Sequence, residues 1–174
     1  DLIRASTGLN LALDYLPGAV TYDPLAIEAD EDLASRIVWL DAYVSNVDRT
    51  PRNANMMTWH RRLWLIDHGA ALYFHHGWDG VVGRSRKPFV QIKDHILLPL
   101  ASRLAEVDQL LAPKITPALV TEIVAQLPPS WLLGEAAFAD VAQHRQAYVD
   151  YLLERVKAPR AFVEEAIRAR ADLV

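Results

Sequence analysis

The chain of 174 residues contains no cysteine, which excludes disulfide-stapled scaffolds and cysteine-ligated zinc sites. A reducing cytoplasm is the simplest compartment for such a chain, so a cytoplasmic location is predicted. No apolar run approaches the roughly 18–20 residues of a membrane-crossing helix, so no membrane partner is expected. The net charge of −4 disfavours direct nucleic-acid binding, because nucleic-acid-binding surfaces are basic.

The sequence also lacks internal repeats, low-complexity segments and an initiator methionine. Its hydrophobic share of 52% is that of a globular protein, and its length suits one domain with a substantial core. We therefore expect a single domain over residues 1–174. Because the chain starts at Asp1, further protein is expected to precede it.

The hydrophobic pattern predicts a mainly α-helical fold with a small β component near the front. Residues 9–16, LNLALDYL, alternate apolar and polar side chains before a Pro-Gly turn, so a strand is predicted there, followed by a turn that ends at residue 18. Asp30 is a suitable N-cap for a helix over residues 31–45. One buried stripe of this helix is predicted to contain Leu33, Ile37, Leu40 and Val44.

The segment 30–69 combines this helix with a polar loop and a hairpin. Residues 46–55 are polar and predict a loop, and the segments MMTWH and RLWLI predict two strands that flank Arg61. From about residue 94 to the end the pattern is helical. The apolar residues that recur first in this part are Ile96, Leu97, Leu100, Leu104, Val107 and Leu111. The remaining helix signals are a cap and proline at Thr116–Pro117 and helical patterns over 137–157 and 159–172, the second opened by Pro159.

Two short acidic motifs flank the predicted hairpin. Residues 48–53 read D-x-x-x-x-N, and residues 67–69 read D-x-G. Phosphoryl transfer needs a carboxylate that orients the attacking hydroxyl and accepts its proton, and oxygen ligands that hold Mg²⁺ against the phosphates. Each motif alone is more simply a turn, but a helix, loop, hairpin and D-x-G in this order favour a phosphotransfer site, because the hairpin lays the two loops side by side.

The same residues resemble a known family. The stretch SNVDRTPRNANMM resembles the catalytic loop of HipA-like kinases, which are remote relatives of phosphoinositide and protein kinases. WLIDHGAALYFHH is similar to the metal-binding Asp segment of the small, bacterial HipA-like kinase-domain family. GLNLALDYLPGA resembles the strand of that family that leads into the large lobe. The resemblance covers roughly residues 7–100, and in the catalytic loop it includes Asn46, Asp48, Arg52 and Asn53.

The resemblance implies a kinase that uses ATP and Mg²⁺, with a protein Ser/Thr or a small molecule as phosphoacceptor. Asp48 would be the catalytic base, and Asn46 and Arg52 would support it. Asn53 and Asp67 would bind the metal; spacing favours Asn53, whereas the following apolar strand favours Asn55. The nucleotide would meet the backbone of Asp14, Tyr15 and Leu16, with His68 beside the phosphates.

One departure from the family pattern is clear. Kinases of this kind hold the phosphates with a glycine-rich loop and a lysine from a small N-terminal lobe, and residues 1–30 contain no lysine. The chain is therefore expected to be the C-terminal lobe of a kinase-like fold, without its N-lobe and with little transfer activity by itself. Two alternatives stay open: a non-catalytic kinase-like binding module, and a helical metal-dependent hydrolase that uses Asp48, Asp67 and His68.

Overall fold

A computed structural model describes residues 7–26 and 29–174, and it confirms the prediction of a mainly α-helical fold with a small β component. The strands are β1 (Val20–Thr21), β2 (Met56–Trp59) and β3 (Arg62–Leu65). The α-helices are α1 (Glu31–Val44), α2 (Val81–Ser85), α3 (Leu104–Leu111), α4 (Pro117–Ala125), α5 (Pro129–Leu132), α6 (Val141–Val156) and α7 (Ala161–Ala171). Short 3₁₀ helices span Tyr73–His76, Val90–Asp94, Leu98–Leu100 and Ala112–Lys114. Within the described ranges, no helix has both the length and the apolar character needed to cross a membrane.

The predicted hairpin is confirmed. β2 pairs antiparallel with β3, from Met56 opposite Leu65 to Trp59 opposite Arg62. A two-residue turn, His60–Arg61, joins the strands, and both residues have positive φ angles, 48° and 60°. β1 adds to the other edge of β2 and completes a three-stranded antiparallel sheet in the order β1-β2-β3.

The predicted strand over residues 9–16 is wrong. These residues have no regular secondary structure, and the chain enters the sheet only at β1, beyond the Pro-Gly turn. The apolar side chains of the segment, Leu9, Leu11, Leu13 and Tyr15, are 62% to 83% exposed. Alternation stabilises a strand only where a neighbouring strand pairs with it and one face is covered, and residues 9–16 have no paired strand in the described structure.

Two indoles hold this segment at its ends. Trp131 Nε1 donates to the carbonyl of Leu9 at 2.8 Å, and Trp59 Nε1 donates to the carbonyl of Pro17 at 2.9 Å. We call residues 9–17 the N-terminal strap. The strap therefore runs from α5 to the turn end of the hairpin.

Helix α1 begins as predicted, because the Asp30 carboxylate accepts a hydrogen bond from Leu33 N at 2.8 Å. The predicted stripe is only partly buried: Ile37 is buried, but Leu33 and Leu40 are exposed and Val44 is half-buried. Helix α1 packs against α3 and α7, and its buried residues include Ala34, Val38, Asp41 and Ala42. Small side chains among these residues allow close helix packing, which hydrophobicity alone does not reveal.

The rear of the chain is helical, with three corrections to the predicted boundaries. The apolar pattern after residue 94 does not form one helix, because it is divided between the 3₁₀ turn Leu98–Leu100 and α3. Pro99 lies in that turn, and a proline has no N–H for a helical hydrogen bond. Thr116 caps α4 as predicted, accepting from Leu119 N at 3.2 Å. α6 starts after the N-cap Asp140 rather than at 137, and α7 starts at Ala161, beyond Pro159.

Candidate functional site

The loop after α1 is fastened to the helix that precedes it. The side chain of Asn46 is buried and donates to Asp41 Oδ1 at 3.0 Å, while its backbone N–H donates to the Asp41 carbonyl at 2.8 Å. Asn46 Oδ1 in turn accepts from the backbone N–H of Asp48 at 3.2 Å. Asn46 therefore fixes the position of Asp48 relative to α1.

Arg49 lies directly beneath this loop and is only 1% exposed. Its Nε donates to Asp41 Oδ2 at 2.5 Å, and one terminal nitrogen donates to the carbonyl of Asn55. The other terminal nitrogen lies 3.5 Å from His68 Nδ1. A single buried guanidinium thus connects α1, the end of the loop and the segment after β3.

His95 completes this buried network from the opposite side. Its Nδ1 accepts from the backbone N–H of Leu97 at 3.0 Å, so the proton is on Nε2, which lies 3.0 Å from Asp41 Oδ2. Burial lowers the pKa of His95 below its usual value, although the hydrogen bond to Asp41 opposes this. Burial alone would raise the pKa of Asp41, but the hydrogen bonds from His95 and Arg49 outweigh it and the pKa is lowered. The network therefore holds a neutral imidazole and an ionised carboxylate at neutral pH.

The sequence pattern does not mark Asp41, Arg49 or His95 as site residues. One signal for Asp41 was available, since Ile37 and Asp41 are four residues apart and share a helix face. A carboxylate on a buried helical face requires a charged or hydrogen-bonding partner. The partners were not visible, because His95 is 54 positions away along the chain.

The buried His95 predicts a pH-dependent stability. Its pKa in the folded protein is below that of a free histidine, about 6.5, so the unfolded chain takes up a proton where the folded protein does not. The free energy of unfolding should therefore fall as the pH drops below about 6.5, by up to about 1.4 kcal/mol per pH unit for this one group. His95→Gln retains an N–H donor for Asp41 and should flatten the slope, measured by urea unfolding from pH 7.5 to 5. His60→Gln, at an exposed position, is the matched control, and equal slopes for the two variants would contradict the prediction.

Asp48 accepts hydrogen bonds from both asparagines that the sequence proposes as metal ligands. Asn53 Nδ2 donates to Asp48 Oδ2 at 2.8 Å. Asn55 Nδ2 donates to the Asp48 carbonyl at 3.0 Å and to Oδ2 at 3.2 Å. In each asparagine the amide nitrogen is used in this way, so its Oδ1 remains as the atom available to a cation.

The hairpin brings the second motif beside Asn55. Ile66 N donates to the carbonyl of Asn55 at 3.0 Å, which puts Asp67 one residue from this contact. Asp67 is exposed, has a positive φ of 48°, and accepts from Gly69 N at 3.4 Å. A Cβ at position 69 would lie 3.3 Å from Asp67 Oδ1, so glycine leaves that carboxylate room. Asn55 therefore connects Asp48 with the backbone of the residue that precedes Asp67.

Asn53 has a different position from Asn55. Its backbone pairs with Thr50 in both directions, at 3.0 Å and 3.1 Å, so residues 50–53 form a tight turn at the surface. Asn53 is exposed, whereas Asn55 is buried and adopts a positive φ of 45° at the entrance to β2. Of the two, Asn55 shares the open end of the hairpin with Asp67.

The other predicted site residues lie at the margins. His68 is exposed and approaches Arg49, as described above. Arg52 is exposed, and it lines a surface cleft together with Lys93. The predicted nucleotide-contacting backbone of residues 14–16 belongs to the N-terminal strap, which is tied at Pro17 to Trp59 near the hairpin turn. Four residues of β2, roughly 13 Å of strand, separate that turn from the Asn55 end.

The side chains of Asp48, Asp67 and His68 do not form the three-ligand cluster that the hydrolase alternative requires. Over residues 7–26 and 29–174, no group of three His, Cys, Asp or Glu side chains is placed to hold a metal ion. Two carboxylates and an asparagine amide are a different kind of donor set, suited to a hard cation that keeps several waters.

The sequence matches no family model, and searches of curated proteins and of solved structures likewise return no match.

Proposed function

We propose that this chain is the C-terminal lobe of a HipA-like kinase, an ATP- and Mg²⁺-dependent phosphotransferase. One observation carries the proposal. Asn55 joins the two acidic motifs, because its side chain donates to Asp48 while its carbonyl accepts from Ile66, the residue before Asp67. Phosphoryl transfer requires a positioned base near oxygen ligands for a metal, and the contacts of Asn55 support such a role for Asp48 and the Asp67 turn.

Asp48 is the proposed catalytic base. Its backbone is held by Asn46 and its carboxylate by two amides, so its position is fixed before substrate arrives. As the acceptor hydroxyl oxygen bonds to the γ-phosphorus, the bond from that phosphorus to the β–γ bridging oxygen breaks. The hydroxyl proton passes to Asp48, and the products are ADP and a phosphate ester.

Asn55 and Asp67 are the proposed Mg²⁺ ligands. Spacing in the sequence favours Asn53, but the contact with the strand before Asp67 makes Asn55 the better candidate in the fold. The donor set fits magnesium, which commonly binds one or two protein carboxylates and completes its shell with water and phosphate oxygens. When bound, magnesium would neutralise charge on the phosphates; Asn55 and Asp67 would hold it beside Asp48.

The two asparagines can be separated by substitution. Asn55→Ala should weaken Mn²⁺ binding in the presence of ADP by about tenfold, on the order of 1.4 kcal/mol, because a ligand oxygen is lost. Asn53→Ala removes an exposed amide with the same contact to Asp48 and should change the affinity less than threefold. Both affinities can be measured by electron paramagnetic resonance titration of free Mn²⁺. A larger loss of Mn²⁺ affinity for Asn53→Ala than for Asn55→Ala would identify Asn53, the residue that spacing favours, as the metal ligand.

The function is tested with the protein that its gene encodes, including whatever precedes Asp1. We expect Mg²⁺-dependent release of ADP from ATP, and a cytoplasmic location, which the lack of cysteine predicts. The acceptor is a protein Ser/Thr or a small molecule.

A kinase-like binding module without catalysis is the second candidate, because residues 1–30 contain no lysine for the phosphates. Calorimetry that detects no binding of Mg-ATP at millimolar concentration would favour this module over the kinase.

A further inference from the structure

An apolar cleft of about 560 Å³ opens beside the Asp67–Gly69 turn. Its walls come from four helices and from the segment after β3, and they include Leu40, Leu72, Ile123, Trp131 and Leu152. His68 and Gly69 form one end of the cleft. The cleft thus reaches the turn that contains a proposed metal ligand.

The cleft walls expose large apolar side chains that the fold does not cover. Leu40 is 38% exposed, Ile123 is 55% exposed and Trp131 is 45% exposed. These residues come from α1, α4 and α5, so three separate elements present apolar surface to one space. A concave, mostly apolar site with polar groups at one end is the usual form of a small-molecule site, and its volume lies in the usual range of roughly 300–1,000 Å³.

We propose that this cleft binds the phosphoacceptor, and that the acceptor is a small alcohol with a long apolar body. This inference rests on the proposed function. The hydroxyl end lies at His68 and Gly69, next to Asp67, where the cleft reaches the proposed phosphotransfer site. The apolar body extends between Leu40 and Ile123 toward Trp131. A small molecule fits better than a protein surface, because the space is bounded on several sides by helices.

Apolar binding is tested with the neutral fluorophore N-phenyl-1-naphthylamine and with 1-dodecanol as a competing alcohol. We expect saturable binding of one fluorophore per chain and displacement by 1-dodecanol. Ile123→Gln should weaken fluorophore binding about tenfold, because it places an amide in the apolar wall. Leu119→Gln is the matched control, since Leu119 is exposed on the same helix but outside the cleft, and it should change the affinity less than twofold. Equal effects of the two variants, or a fluorophore that 1-dodecanol does not displace, would overturn the proposal.

The orientation of the alcohol is tested by proton relaxation with Mn²⁺ and ADP bound. The protons on the carbon next to the hydroxyl should relax faster than those of the terminal methyl, because the hydroxyl lies at the metal end. The opposite gradient would overturn the assignment of the cleft to the acceptor. If Mn²⁺ and ADP fail to bind to the full gene product, the phosphotransfer function is wrong, and the comparison of Ile123→Gln with Leu119→Gln still decides whether the cleft takes an apolar alcohol.

Discussion

Replacing Arg49 with alanine should lower the free energy of unfolding by about 3–5 kcal/mol, the usual cost of breaking a buried ion pair. Arg49 and Asp41 both have fully buried side chains. Without the guanidinium, the Asp41 carboxylate keeps His95 and Asn46 as partners, and the carbonyl of Asn55 loses a buried donor. The pKa of Asp41 should rise accordingly, since one of the hydrogen bonds that lowers it is lost.

Urea unfolding at pH 7 measures this loss, with Arg36→Ala as the control. Arg36 also forms an ion pair, with Asp32 one helical turn away, but both side chains are partly exposed. Such surface pairs contribute little, so the control should unfold at nearly the wild-type midpoint. The double variant Asp41→Asn, Arg49→Met should lose less than the sum of the single losses, because no unpaired charge remains buried. Similar midpoints for Arg49→Ala and Arg36→Ala would mean that the network does not stabilise the loop.

Asp48→Asn should reduce phosphotransfer by on the order of 10²–10⁴-fold, the usual contribution of a general base. Asparagine keeps an oxygen that can accept from Asn53 or Asn55, so the loop geometry should survive while the proton acceptor is lost. The rate should fall with little change in nucleotide affinity, because the proposed role of Asp48 is to act on the acceptor hydroxyl rather than on the nucleotide.

Single-turnover kinetics with the full gene product separates these effects, and circular dichroism checks the fold. Asp79→Asn is a matched control at an exposed aspartate in the Asp79-Gly80 turn, outside the site. It should retain wild-type transfer. Turnover that survives unchanged in Asp48→Asn would remove this residue from the catalytic role.

Local signals in the sequence predicted local structure well. Asp30 and Thr116 cap the helices that their sequences suggest, and the hairpin forms where two apolar runs flank Arg61. Each of these features depends on residues within a few positions of one another. The strand over 9–16 failed because pairing requires a second strand, and alternation within one segment does not specify a partner.

The sequence predicted only part of the candidate site, because some of its contacts depend on how the chain folds back on itself. The D-x-x-x-x-N spacing marks Asn53, which contacts Asp48, and the tight turn between Thr50 and Asn53 brings Asn55 to Asp48 as well. Counting positions along the chain does not reveal such a turn. Asp41, Arg49 and His95, which form the buried network under the loop, could not be predicted from the sequence. Their contacts join distant parts of the chain, as between Asp41 and His95.

The two-residue hairpin turn adopts an unfavourable backbone conformation. His60 and Arg61 both adopt a left-handed backbone that side-chain-bearing residues disfavour, by roughly 1–2 kcal/mol each. The pairing of β2 with β3 must offset this penalty. The register of that pairing is set by the length of the loop rather than by the identity of its two residues. Asn-Gly at these positions should be tolerated or even helpful. Inserting one residue there would shift the strands against each other and move Asp67 away from Asn55. The length of this turn is therefore more constrained in evolution than the identity of its residues.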